Sequence, residues 1–159
     1  MNTKIRILFV CLGNICRSPA AEGVMLHVLQ DKPDAGRWTV DSCGTGDYHI
    51  GDLPDHRMRE HARRRGLNLT HICRQIRRED FRNFDLIIGM DAMNIANLRR
   101  IAPDEASERK IVCISDFFPA ESKYDVVPDP YYSGPEAFET VLDLLEDACA
   151  NIYARLSGR

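Results

Sequence analysis

Residues 10–19 read VCLGNICRSP, which sets Cys11 and Arg17 in one short turn. A cysteine thiolate is a nucleophile, and an arginine guanidinium is a planar fork that binds two phosphate oxygens at once. The residues before the turn, KIRILFV, are apolar and β-branched enough for a buried strand, and SPAAEGVMLHVLQD after it has apolar residues at helical spacing. A turn so placed sits at the carboxyl end of a strand, where open α/β folds bind ligands. Its backbone N–H groups, with the helix N-terminus behind them, make an anion site. Gly13 and Asn14 tolerate the positive φ that a tight cradle needs. Ser18 and Pro19 suit the N-cap and first helical positions.

With Cys11 at the floor of that cradle, the N–H dipoles, Arg17 and the helix N-terminus all favour the thiolate. The same field holds a phosphoryl group in line with the sulfur. The turn is therefore expected both to bind a phosphate and to attack its phosphorus. A nucleotide P-loop needs Gly-Lys-Ser/Thr at its end; residues 10–19 contain no lysine and one glycine, which also excludes a dinucleotide fingerprint. The plain alternative is a buried cysteine beside a surface arginine in an ordinary turn. Strand context with Asn14, Ser18 and Pro19 weighs against it.

A leaving alkoxide or phenolate needs a proton, and Asp129 in VVPDPYYSG is the candidate donor. Pro128 and Pro130 restrict the backbone on both sides of it, as positioning an acid requires. An Asp in an ordinary Pro-Asp-Pro turn is the alternative, weakened by the Cys11 turn.

These groups need a scaffold. Alternation of apolar runs and helical patterns predicts strands over residues 4–10, 38–43, 85–90 and 110–114, and helices over 18–30, 54–65, 91–101 and 135–156. The expected fold is α/β: a single domain over residues 1–159, with a four-stranded parallel sheet flanked by helices on both faces and the phosphate-binding loop after the first strand. Residues 119–134 form a long irregular stretch, the kind that is functional or disordered. The chain has 159 residues, 44% of them hydrophobic, enough for one core. A net charge of -3 argues against general nucleic-acid binding. No apolar run is long enough for a membrane span and no signal-peptide core is seen, so a cytoplasmic protein with six reduced cysteines is expected. No Cys-x-x-Cys occurs and the five histidines show no ligand pairing, so no metal site is expected. Nine arginines fall between residues 57 and 82 and nine acids between 116 and 147, readable as two solvated faces or as surfaces that orient a charged partner.

VCLGNICRSPAAE, DSCGTGDYHIGDLPDHR and DPYY together resemble the low-molecular-weight protein tyrosine phosphatases over nearly the whole chain. The resemblance implies Cys11 as nucleophile, Arg17 as phosphate clamp, and Asp129 as general acid and then as the base that activates water against a cysteinyl-phosphate. It also implies that Ser18 hydrogen-bonds the Cys11 thiolate, and that Asn14 holds the loop in its strained shape with support from Ser42 and His71. No metal or cofactor is implied. The implied partner is a phosphotyrosine protein, acted on by a monomer or weak dimer.

Tyr48, Tyr131 and Tyr132 would line the mouth, with Leu12 and Ile15 in the floor loop beside Gly13 and Cys16. Such an apolar slot suits a phenyl ring with a deep phosphate. Related arginine phosphatases carry threonine where this chain has Ile15, which favours phosphotyrosine. Thiol-dependent arsenate reductases resemble the first loop but need closely spaced relay cysteines, and here Cys73 is followed only by Cys113. A module that captures phosphoproteins without turnover would not need Cys11, Arg17 and Asp129 together. Cys16, in the same loop as Cys11, is either a small core residue or a resolving thiol that protects an oxidised Cys11.

Overall fold

The computed structural model describes residues 3–158. Its strands are β1 (Ile5–Cys11), β2 (Trp38–Gly44), β3 (Leu86–Gly89) and β4 (Ile111–Cys113). Its helices are α1 (Arg17–Leu29), α2 (His56–Arg63), α3 (Asp80–Asn83), α4 (Ala92–Ile101), α5 (Glu105–Glu108) and α6 (Pro135–Leu156). The four strands form one parallel sheet in the order β2-β1-β3-β4. Strand side chains alternate between faces, so the ILFV run of β1 is buried on both. Ile7 and Phe9 join a cluster with α1, α2 and α6, whereas Leu8 and Val10 join Phe81, Phe84 and Leu98 from the α3 and α4 side. Because β1 lies between β2 and β3, the loop that follows it opens at the point where the chain crosses from one side of the sheet to the other, the crevice where such folds hold ligands.

Helix α6 buries one apolar stripe that includes Phe138, Val141, Leu142, Leu145, Ala148, Cys149 and Ile152. Each large member contributes roughly 1.5–3 kcal/mol of burial. Tyr153, at the end of the stripe, stays half-buried; its ring stacks on Trp38 at 5.6 Å and its hydroxyl donates to Asp34 at 2.7 Å.

The predicted boundaries shift where side chains supply local bonds. Helix α2 starts at His56 because the Asp55 carboxylate accepts from Arg57 N at 2.8 Å and caps it. Strand β4 is short because the chain turns at once into a 3₁₀ turn, Ile114–Phe117. Helices α3 and α5 are four residues each, too short for a periodicity to announce them. The basic and acidic segments are not simply two solvated faces: Arg65 near the end of α2 pairs with Glu139, Asp143 and Glu146 of α6 at 2.6, 2.9 and 3.3 Å. All six cysteines are free. Among the described residues, no helix is long and apolar enough to cross a membrane.

Candidate active site

The turn after β1 is shaped by what accepts its carbonyls. Cys11 O takes Thr45 N at 3.0 Å, Leu12 O takes Gly46 N at 2.9 Å and Ile15 O takes Asp55 N at 2.8 Å. Asn14 O takes the Cys73 thiol at 2.7 Å. Every described peptide bond is trans, so each carbonyl and the next N–H point in opposite directions. The N–H groups of Leu12, Gly13, Ile15 and Cys16 therefore face away from these partners. Register makes this possible: Cys11 pairs with Gly44 across β1 and β2, and a Cβ on Gly44 would stand 2.7 Å from Leu12 O. Only a glycine lets the two backbones approach so closely.

Asn14 is the one described non-glycine residue with positive φ, at 58°. The strain is held by a buried network. Its Nδ2 donates to Ser18 Oγ at 2.8 Å and to Ser42 Oγ at 3.1 Å. Its Oδ1 accepts from Arg74 N at 3.0 Å and from His71 Nε2 at 2.9 Å. Ser42 donates onward to Glu22 at 2.7 Å. His71 Nδ1 lies 3.1 Å from Glu22 and 3.4 Å from Asp41. The ligand atoms of Glu22, Asp41 and His71 lie within 4.8 Å of one another and form the one carboxylate–histidine grouping that could hold a metal among the described residues. The two His71 nitrogens already face Asn14 at hydrogen-bond distance and these carboxylates at ion-pair distance.

Cys11 sits at the floor, 3% exposed, with Sγ 3.0 Å from Ser18 Oγ. Ser18 Oγ also lies 3.3 Å from Cys43 O, so its single proton has two acceptors when Cys11 is a thiolate. Arg17 is equally buried; its Nη1 donates to Asp91 at 2.6 Å and to Val127 O at 3.1 Å. Its Nη2 lies 3.7 Å from Asp129 Oδ2. Burial lowers the Arg17 guanidinium, but the facing Cys11, Asp91 and Asp129 more than reverse this, so it is held firmly charged. Asp129 is half exposed, and its Oδ1 accepts from Tyr131 N at 3.0 Å, which turns its other oxygen toward Arg17. Burial, followed by the nearby Asp55, Cys11 and Asp129, raises the Cys16 thiol well above its ordinary range. Burial likewise pushes the Cys73 thiol up to about 11.

These groups share a cleft of about 340 Å³ lined by Cys11, Leu12, Gly13, Ile15, Cys16, Arg17, Tyr48, His49, Asp129, Tyr131 and Tyr132. Tyr131 and Tyr132 meet edge to face at 4.8 Å, and Tyr48 lines the same cleft. The cleft thus brings together the predicted Cys11, Leu12, Gly13, Ile15, Cys16, Arg17, Asp129 and the three tyrosines, while Asn14, Ser18, Ser42 and His71 belong to the network behind the loop. Two expectations are corrected. Ser18 is not the N-cap: helix α1 begins at Arg17 after Cys16, because the Ser18 hydroxyl is drawn to Cys11, Asn14 and Cys43. Gly13 does not adopt positive φ; a Cβ there would crowd the His49 ring at 3.2 Å, so its smallness is what is used. Sequence reading missed Asp91, Gly44, Glu22, Asp41 and His49. Of these only Asp91 carries a signal, an Asp between a strand and a helix, and it does cap α4 by accepting from Asn94 N at 2.8 Å.

Chemically, this is a site that can seat a phosphate monoester over a thiol, with a guanidinium beside it and a carboxyl above. In this fold that arrangement defines the α/β cysteine phosphatases. The family model described as "Low molecular weight phosphotyrosine protein phosphatase" matches residues 6–159, and the chain belongs to that family. It is 41% identical to the low molecular weight phosphotyrosine protein phosphatase of Schizosaccharomyces pombe over 159 residues, covering 99% of this chain and 100% of that protein. The crystal structure of the Entamoeba histolytica protein tyrosine phosphatase with Hepes in its active site superposes with a TM-score of 0.93 at 44% identity, covering 98% of each chain. The Drosophila arginine phosphatase structure is similar at a TM-score of 0.86 and 28% identity, covering 95% of this chain and 97% of that one.

Proposed function

We propose that residues 1–159 act as one catalytic domain that hydrolyses phosphotyrosine and small aryl phosphates through a cysteinyl-phosphate. The observation that carries the reading is the convergence of Cys11, Arg17 and Asp129 on one cleft walled by aromatic rings. The loop N–H groups and Arg17 bind the phosphoryl oxygens. Cys11 Sγ attacks phosphorus, the bond from phosphorus to the aryl oxygen breaks, and Asp129 gives its proton to the departing oxygen. Asp129, now a carboxylate, takes a proton from water as that water attacks phosphorus. The sulfur–phosphorus bond then breaks, inorganic phosphate leaves, and the Ser18 hydroxyl donates to the returning thiolate at the 3.0 Å contact.

Ile15 and the tyrosine walls favour a flat phenyl ring over the shorter serine and the polar guanidinium of arginine. Peptides differing only in phosphotyrosine, phosphoserine or phosphoarginine test this. A kcat/KM about a hundredfold higher for phosphotyrosine is expected; equal values would remove the aromatic walls from substrate choice. The six free thiols support a reducing, cytoplasmic setting.

The same cleft supports redox control. Peroxide converts the Cys11 thiolate to a sulfenic acid, and the Cys16 thiol then forms a disulfide with it, releasing water. Both cysteines line the cleft, and burial of Cys16 keeps it protonated and makes this capture slow. Phosphate protects by filling the cradle. After peroxide, Cys16→Ser is expected to lose most of the activity that dithiothreitol restores to the parent protein, each measured against its own starting rate. Equal recovery, with no Cys11–Cys16 linked peptide by mass spectrometry, would make Cys16 a packing residue only.

A further inference from the structure

Arg57 lines no part of the cleft, yet it joins the two segments that the reaction needs. Its Nε and Nη2 grip both oxygens of the buried Asp55 carboxylate at 3.1 and 2.9 Å. Asp55 N in turn donates to Ile15 O of the anion loop at 2.8 Å. On the far side, Arg57 Nη2 donates to Tyr131 O at 3.0 Å. The guanidinium also lies over the Tyr131 ring at 5.3 Å and the Phe138 ring at 4.9 Å. Tyr131 is the residue whose N–H fixes Asp129 Oδ1. Among the described residues, the Arg57 bond is the only hydrogen bond that reaches residues 128–133 from elsewhere in the chain. Before Asp129, Val127 is tied to Met90 and Arg17. Between Asp129 and Ser133, only Arg57 supplies such a tie among the described residues. The prolines stiffen the local backbone, but stiffness does not place a segment; a strut does.

We propose that Arg57 is a positioning residue that holds Asp129 at proton-transfer geometry over the anion loop, through Asp55 on one side and Tyr131 on the other. The inference rests on the reading of Asp129 as the general acid. Its bidentate grip on Asp55 leaves Nη2 aimed at a single carbonyl, and its stacking on Tyr131 and Phe138 limits how that side chain swings.

The test is the dependence of kcat/KM on leaving-group pKa across aryl phosphates. Arg57→Met keeps an unbranched apolar stem and removes the fork. It is expected to slow substrates with poor leaving groups about tenfold and to leave those with good ones within about twofold, because an activated leaving group needs little of the proton. Arg57→Lys, which can reach Tyr131 O but not grip Asp55 at two points, is expected to fall between. In an Asp129→Ala background, where the slope is already steep, adding Arg57→Met should change little, since both changes act on one proton transfer. The rate of Cys11 alkylation by iodoacetate, and its protection by phosphate, should stay as in the parent protein, showing an intact cradle. A uniform loss across all leaving groups, or full additivity with Asp129→Ala, overturns the role of Arg57 while leaving Asp129 in place. An unchanged slope in Asp129→Ala itself overturns the general-acid reading and this inference with it.

Discussion

Cys11→Ser is expected to lose turnover of aryl phosphates by at least about 10⁴-fold, with the protein still folded and still binding phosphate. The reason is the form of the nucleophile. The loop N–H groups and Arg17 stabilise an anion, and a serine hydroxyl in the same place stays neutral at ordinary pH. Oxygen is also smaller than sulfur, so little packing is lost at a site already in contact with Ser18. Steady-state turnover with a burst measurement checks this: the parent protein traps a phosphorylated cysteine and the variant traps none. Turnover of Cys11→Ser within about tenfold of the parent would mean that phosphorus is attacked by water directly.

Arg17→Lys is the second large effect. In the structure the guanidinium spends one nitrogen on Asp91 and Val127 O, which leaves its other terminal nitrogen free to face the cleft and Asp129. A lysine ammonium is a point charge and cannot keep the Asp91 bond and present a fork to phosphate together. It would be drawn to Asp91 and leave the cradle short of donors. Loss of a transition-state donor of this kind costs about 10²–10³-fold in kcat. The expected pattern is a fall in kcat larger than the rise in KM, with phosphate inhibition weakened as well. Kinetics for Arg17→Lys close to the parent would place the phosphate clamp elsewhere in the loop.

The loop was legible because its chemistry is local. Cys11, Asn14, Arg17 and Ser18 stand within eight consecutive residues between a strand pattern and a helix pattern, so their proximity needs no folding argument. Asp129 was legible for another reason: two prolines mark a rigid turn, and a rigid carboxyl in a long loop is unusual. The contact of Ser18 with Cys11 is what the family resemblance implied, but the place of Ser18 in the helix was misjudged. Sequence offered the capping position, and three buried partners competed for the hydroxyl and won. The basic segment from residue 57 reads as a solvated face in the chain, yet Arg57, Arg65 and Arg74 are engaged by Asp55, Glu139 and Asp80. An arginine has the same local appearance whether it faces water or bridges two segments.

By itself, the sequence determined the parallel α/β scaffold, the anion loop after the first strand, and the type of each candidate group in it. Hydrophobic periodicity and turn residues are short-range signals, and those features are short-range. Only the tertiary structure decided which distant residues stand behind them. Asp91 reaches Arg17 across 74 positions, Arg57 reaches Tyr131 across 74, and Arg17 reaches Val127 O across 110. Gly44 lies against the loop through the register of β1 on β2. Such contacts depend on how strands pair and how α2 packs on α6, and a side chain carries no mark of its partner until the core has set both in place.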